Sequence, residues 1–293
     1  MDIVITYVDG LDPEWMADYA KCIGKEVLTK RYRDWGTLPY LLRGVEECMP
    51  FAENVFLVVA RESQVPKWLN RDTVKVVLHE DFIPQQFLPT FSASAIEMFL
   101  HRIEGLGEQY LYFNDDFFPI LPSEKTDFFR NGKIAADMAR HVFTFGNLFR
   151  TFVKGSDRMA RRASGTSKSL CYLRPQHTCA PMLKSVCEEL YDKCTDEIHA
   201  SVSPLRKPYN YNQYIYTDYA HFTGHTFPQR ISNKHLSMSM ATPENITKAI
   251  LHSKHKIVCI NDVEMSEEKY KRLYAAMHEA FSARFPRKSK YEK

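Results

Sequence analysis

The sequence predicts an α/β fold: a mostly parallel sheet with flanking helices and a basic insertion or lid. Three observations carry that expectation. Short apolar runs of strand length alternate with segments of helical period through the first 120 or so residues. Several of those runs stop at an acidic residue. Beyond residue 122 the texture changes to a polar, basic stretch with no clear period.

Residues 3–8 are apolar and β-branched and stop at Asp9-Gly10, as a buried strand does. Asp9-Gly10-Leu11-Asp12-Pro13 follows as an acidic glycine loop. A Walker-type phosphate loop needs glycine and lysine here. Acids suit a ribose, a base or a metal-bound phosphate better, or they simply bond local backbone in a turn. A helix is expected over 38–49, with Leu38, Leu41, Leu42 and Val45 on one face and Pro39 in its first turn. Arg31, Arg33 and Arg43 are close in sequence and make either an anion pocket or a solvated face. Strands are expected over 54–59 and 74–78, the second ending at His79, Glu80 and Asp81.

The central stretch runs over 88–122. Ile96, Phe99, Leu100 and Ile103 recur at helical spacing, with Ser92 or Ser94 as cap and Glu97 placed for a capping box. A strand over 109–113 then delivers Asn114, Asp115 and Asp116. Two adjacent carboxylates at the end of an apolar strand are costly to bury without a cation, an Arg or Lys, or backbone donors. The plain alternative is a capped turn that exposes both. In open α/β sheets ligands bind off the carboxyl ends of strands.

Residues 123–169 hold Arg130, Arg140, His141, Arg150, Lys154, Arg158, Arg161, Arg162 and Lys168. Such a segment is a lid or insertion for an anionic partner, or an exposed variable stretch. A helix is expected over 180–194 with Pro181 in its first turn, which places His177 at a helix N-terminus. Arg206 follows, then an aromatic-rich strand or helix within 209–222. A strand over 256–260 ends at Asn261-Asp262, and a helix over 266–281 carries Tyr270, Leu273, Tyr274, Met277 and Phe281 on one face. Acids at strand ends therefore occur at Asp9, Asp81, Asp115, Asp116 and Asp262. If the strands are neighbours these converge, and convergent carboxylates need a cation.

The 293 residues suit one catalytic domain, 1–293, with 123–169 a lid or insertion within it. A net charge of +3 is too small to imply nucleic acid. No apolar run is long enough to span a bilayer. The N-terminus carries an acid and no basic leader, and the seven cysteines form no CxxC pair. These features predict a cytoplasmic protein with reduced thiols.

Together these residues resemble the Stealth family of sugar-phosphate transferases. Ile3 to Gly10 with Asp12-Pro13 is similar to the first signature block. The second takes in Leu41-Leu42-Arg43, Gln64-Val65-Pro66-Lys67-Trp68, His101-Arg102-Ile103 and Phe113-Asn114-Asp115-Asp116. His177 with Pro181, and Arg206 further on, resemble the third; Cys259-Ile260-Asn261-Asp262 and Phe285-Pro286-Arg287 resemble the fourth. One departure stands out: many relatives carry Glu-Leu-Arg-Tyr-Ser where this chain has Thr37-Leu38-Pro39-Tyr40-Leu41.

The resemblance implies a nucleotide-sugar-transferase-like fold and transfer of a hexose 1-phosphate from a nucleotide diphosphosugar to a hydroxyl. The acceptor is then a glycan or a lipid-linked glycan, in capsular or surface polysaccharide synthesis. A lipid-linked acceptor would bring the chain to a membrane surface as a peripheral protein. Asp115, Asp116 and Asp262 would hold Mg2+ or Mn2+. Asp9, Gly10, Asp12, Arg43 and Asn114 would line the donor site, Arg206 would clamp phosphate, and His177 would act as base. A metal-dependent glycosyltransferase and a non-catalytic nucleotide-sugar-binding protein are the alternatives.

Overall fold

The structure is a computed structural model that describes residues 1–24, 34–142 and 148–293. Its strands are β1 (Asp2–Thr6), β2 (Val55–Val59), β3 (Val74–Leu78), β4 (Gln109–Asn114), β5 (Phe117–Pro119), β6 (Phe129–Arg130), β7 (Lys133–Ala136), β8 (Ala139–His141), β9 (Tyr172–Arg174), β10 (Ala180–Leu183), β11 (Thr226–Pro228), β12 (Asn233–Ser237) and β13 (Ile257–Asn261). Its α-helices are α1 (Pro13–Ile23), α2 (Leu38–Cys48), α3 (His79–Phe82), α4 (Ala93–Glu97), α5 (Leu148–Ala163), α6 (Lys184–Lys193), α7 (Thr195–Ser201), α8 (Tyr214–Phe222), α9 (Pro243–Leu251) and α10 (Glu267–Arg284). The chain forms two compact units. The first comprises Met1–Asp2, Val77–Leu111 and Thr126–Ile231; the second comprises Ile3–Val76, Tyr112–Lys125 and Ser232–Lys293.

The strands β4-β1-β2-β3 run in that order, with β1 parallel to β2 from Ile3↔Val55 to Thr6↔Val58. Ile3, Val4, Ile5 and all of β2 are buried, which explains why these strands read as unbroken apolar runs. A smaller sheet orders β12-β13-β5, parallel across the first pair and antiparallel across the second. α2 buries Leu38, Leu41, Leu42 and Val45, as the helical spacing predicts, and packs on β5. At that contact Gly44 lies so close that a Cβ would run into the Pro119 carbonyl oxygen. α9 packs against α10, whose buried face is Leu273, Met277, Ala280 and Phe281. The mixed α/β architecture with parallel strands is the predicted class.

The first unit corrects two expectations. Residues 180–194 do not form one helix. Ala180, Pro181, Met182 and Leu183 are all buried in β10, the end strand of its sheet, and α6 starts only at Lys184. Pro181 is tolerated because an edge strand need not donate on both sides. The central apolar repeat is also broken: α4 stops at Glu97 and a 3-10 turn covers Leu100–Arg102. Ser92 stands at the N-cap without a side-chain bond, and Glu97 accepts from the Gln213 amide at 2.9 Å instead of closing a capping box.

Residues 123–169 contribute β6, β7, β8 and α5, with 143–147 outside the described residues. α5 packs against α8 and β9. Among the described residues no helix is long and apolar enough to cross a membrane, and all seven cysteines are free thiols.

Candidate active site

The second unit gathers carboxylates at one place. β4 ends at Asn114, the two-residue turn Asp115-Asp116 follows, and β5 begins at Phe117. The turn is thus where the chain leaves the larger sheet for the smaller one. β5 pairs with β13 in the register Cys259↔Phe117, and the Ile260 amide donates to the Asp116 carbonyl at 2.9 Å. That register brings Asn261-Asp262 to the acidic turn.

Asp116 is held from one side only. Its Oδ2 accepts from Asn261 Nδ2 at 3.4 Å and from the Cys259 thiol at 3.6 Å. Its Oδ1 is buried and has no hydrogen-bond partner among the described residues. Burial pushes the Asp115 carboxyl well above the usual range, and the charges of Asp116, Asp34 and Asp262 push it further. Burial also raises Asp116, against the bonds from Asn261 and Cys259, with Asp262 adding to the rise. Like charges crowded out of water keep protons unless a cation compensates them.

Asp34 is a member that sequence reasoning missed. Its Oδ2 accepts from the Tyr7 hydroxyl at 2.9 Å and its Oδ1 from the Gly36 amide at 2.8 Å. The Tyr7 phenol is raised far above its ordinary value by burial, then by Asp34, Asp9 and Asp115. One local signal was available: Asp-x-Gly with a left-handed glycine, φ 63° at Gly36, is an Asx-turn pattern.

The other expected residues fall into place unevenly. Asp9 Oδ1 accepts from the Leu11 amide at 2.8 Å, and the buried Gln64 donates to the Asp9 carbonyl at 3.1 Å, so the loop with Gly10 is fixed. Asp12 caps α1, accepting from the Trp15 amide at 2.6 Å. Asn114 Oδ1 accepts from the Tyr112 hydroxyl at 2.7 Å, which also meets Thr6 Oγ1 at 3.1 Å. Arg43 grips Glu292 with Nε and Nη2 at 2.8 and 2.7 Å and donates from Nη1 to the Phe285 carbonyl at 2.9 Å. Its fork is thus engaged within the fold; Arg31 and Arg33, the other members of the expected anion pocket, lie outside the described residues. Asp81 accepts from the Leu78 amide at 2.7 Å and caps α3.

His177 and Arg206 belong to the first unit. His177 precedes the strand β10, not a helix, so no helix N-terminus stands behind it. Its Nδ1 lies 3.4 Å from the Tyr214 hydroxyl. Arg206 is exposed in the segment between α7 and α8.

The carboxylates have the oxygen chemistry of a hard divalent cation's ligands, although among the described residues no three of them bring their oxygens within 4.8 Å of one another. Such ions take oxygen ligands, and a buried Asp116 Oδ1 with no partner among the described residues, beside an Asp115 carboxyl raised by its acidic neighbours, is what a cation would relieve.

Residues 31–137 match the family model described as Stealth protein CR2, conserved region 2, and residues 248–293 match that of Stealth protein CR4, conserved region 4. Receptor polysaccharide phosphotransferase WefC of Streptococcus gordonii is 30% identical over 305 residues, covering 89% of this chain and 90% of the relative. The chain belongs to the Stealth family. Capsular polysaccharide phosphotransferase WcwK of Streptococcus pneumoniae is 30% identical over 337 residues, 100% of this chain and 99% of the relative. WefC of Streptococcus oralis reaches 44% identity over 138 residues, where the match spans 44% of this chain and 41% of that relative. The galactosyltransferase LgtC, solved with donor and acceptor sugar analogues, covers 94% of the chain at 12% identity and a TM-score of 0.36. Within the second unit, the Stealth regions 2 and 4 meet at the carboxylate cluster: Asp34, Asp115 and Asp116 come from one, Asp262 from the other.

Proposed function

We propose that this Stealth protein transfers a hexose 1-phosphate from a nucleotide diphosphosugar to a hydroxyl of a glycan or lipid-linked acceptor, in capsular or exopolysaccharide synthesis. The observation that carries the reading is the cation-seeking cluster of Asp34, Asp115, Asp116 and Asp262 in a chain whose relatives are polysaccharide phosphotransferases. Both compact units are taken to serve one catalytic domain.

In this reading the acceptor oxygen attacks the phosphorus next to the sugar. The bond between the two phosphoryl groups breaks, its electron pair stays with the nucleoside monophosphate, and the hydroxyl proton passes to a base. His177 is the proposed base, since imidazole titrates near neutrality. Asp115, Asp116 and Asp262 would hold Mg2+ or Mn2+, which supplies neutralisation of the diphosphate charge. Asp9, Gly10 and Asn114 line the donor site through a loop and a strand end already fixed by hydrogen bonds. Arg206 is the proposed phosphate clamp. Asp12 and Arg43 complete the proposed donor-site lining, held by the helix cap and the ion pair with Glu292.

Donor labelled in the phosphate next to the sugar decides the reaction. Label in the acceptor as a phosphodiester, with nucleoside monophosphate released, is expected. Label in free nucleoside diphosphate would make the enzyme a glycosyltransferase.

A further inference from the structure

We propose that the rings of Trp35, Tyr270 and Tyr274 form a stacking surface for the pyranose rings of the glycan acceptor, next to the carboxylate cluster. The choice of a glycan rests on the transferase reading; the surface itself rests on geometry.

Two segments leave the cluster carrying aromatic residues, and they meet. Trp35 directly follows Asp34, while α10 starts five residues after Asp262 and bears Tyr270 and Tyr274. The Trp35 and Tyr270 ring centres are 4.6 Å apart at 59°, and Trp35 and Tyr274 are 6.5 Å apart at 23°. All three side chains are only partly buried. Tyr270 and Tyr274 lie off the stripe that α10 buries, Leu273, Met277, Ala280 and Phe281. Tyr270, Tyr274 and His278 form a second stripe beside it at i, i+4 and i+8.

The surface is also held in place. His278 donates from Nε2 to the Trp35 carbonyl at 2.7 Å and stacks on Tyr274 at 4.1 Å. Asp34 fixes the other side of the turn through the Gly36 amide. A Cβ at Gly36 would press on His278 at 3.3 Å. Such preorganisation lowers the ordering cost of binding.

Ring faces carry negative charge and attract the C–H faces of a sugar. The 59° between Trp35 and Tyr270 makes a corner. A flat nucleobase can stack on one wall of it, whereas a puckered pyranose presents C–H groups to both. Placed beside Asp34, the corner would hold an acceptor sugar near the reacting centre.

The test uses full-length protein labelled with 5-fluorotryptophan, which reports three tryptophans, Trp15, Trp35 and Trp68, by fluorine NMR. Trp35→Phe assigns the resonance. Probes are lactose, maltotriose, chitotriose and UMP, each up to tens of millimolar. The expected result is a saturable shift of the Trp35 resonance with at least one oligosaccharide, a fixed Trp15 resonance, and no Trp35 shift with UMP. Tyr270→Leu keeps apolar bulk but loses the ring, and should weaken the oligosaccharide Kd by up to about tenfold without lowering Tm. No shift with any oligosaccharide, a shift with UMP alone, or unchanged affinity in Tyr270→Leu would overturn the proposal. The phosphate-label experiment is independent: it can fail while the sugar shift stands, and the reverse.

Discussion

Asp116 shows how one side chain can be prepared for a ligand. Asn261 and Cys259 occupy one oxygen and leave the other, buried, without a partner among the described residues. Asp116→Asn keeps the shape and removes the charge, so it should abolish turnover and Mn2+ binding, followed by calorimetry, with an unchanged circular dichroism spectrum. Chelation with EDTA should stop wild-type turnover; a full rate in EDTA would refute the cation. For His177, the base reading predicts that His177→Ala lowers kcat by roughly two to four orders of magnitude with little change in donor affinity.

Asp218 makes a different prediction. It is fully buried on α8, and among the described residues neither carboxylate oxygen has a partner. Burial, then the nearby Asp157, raise its pKa well above the ordinary value, against a pull from Arg161. The folded state therefore keeps a proton that the unfolded state loses once pH passes about 4. Stability should fall as pH rises above that value, until the folded group itself ionises. Asp218→Asn should flatten the Tm–pH curve between pH 5 and 8; an unaltered slope would show that Asp218 does not titrate this way.

At the scale of elements, the C-terminal segment works as a clasp on the second unit. Glu292 takes Arg43 in a two-bond grip and also accepts from the Ser289 amide at 2.8 Å. The Asn70 amide donates to the Tyr291 carbonyl and the Lys293 amide to the Trp68 carbonyl, each at 2.8 Å. Burial would raise the Glu292 pKa, but the Arg43 bond and the Ser289 donors win and lower it. This contribution is present above the unfolded carboxylate value and is lost as pH falls through the folded one. Arg43→Ala leaves Glu292 buried without its partner and should cost about 2–4 kcal/mol in urea unfolding.

What the sequence disclosed depended on whether burial was apolar. β1, β2, β3 and α2 were legible because every buried position in their pattern is apolar or nearly so. α5 was not, because its buried face includes Ser156 and Asp157 beside Phe152, Val153, Met159 and Ala160, and two polar residues erase the period. Asp157 is admitted there by Arg161 at 2.8 Å and the Leu173 amide at 2.9 Å, partners that only the folded chain reveals. β10 was hidden by Pro181, which reads equally as a first helical turn or an edge strand. In the candidate site, Asp115, Asp116 and Asp262 stand out in the sequence at strand ends. Asp34 did not, since its significance comes from Tyr7 and from Asp115, residues 27 and 81 positions away in the chain.

The molecule as a whole is threaded through its two units in alternation. The second unit alone draws on residues 3–76, 112–125 and 232–293. Contacts between such distant segments come late in folding, because each closes a long loop first. During synthesis the order is fixed by the ribosome, which delivers roughly 5–20 residues per second. Asp34 of the cluster therefore waits for well over 200 further residues before Asp262 emerges, and the clasp at Glu292 comes later still. A nascent chain arrested after residue 231 should remain open to protease within 3–76 and bind no Mn2+, while one carried through residue 293 should do neither. The carboxylate cluster is thus incomplete until residue 262 has been made.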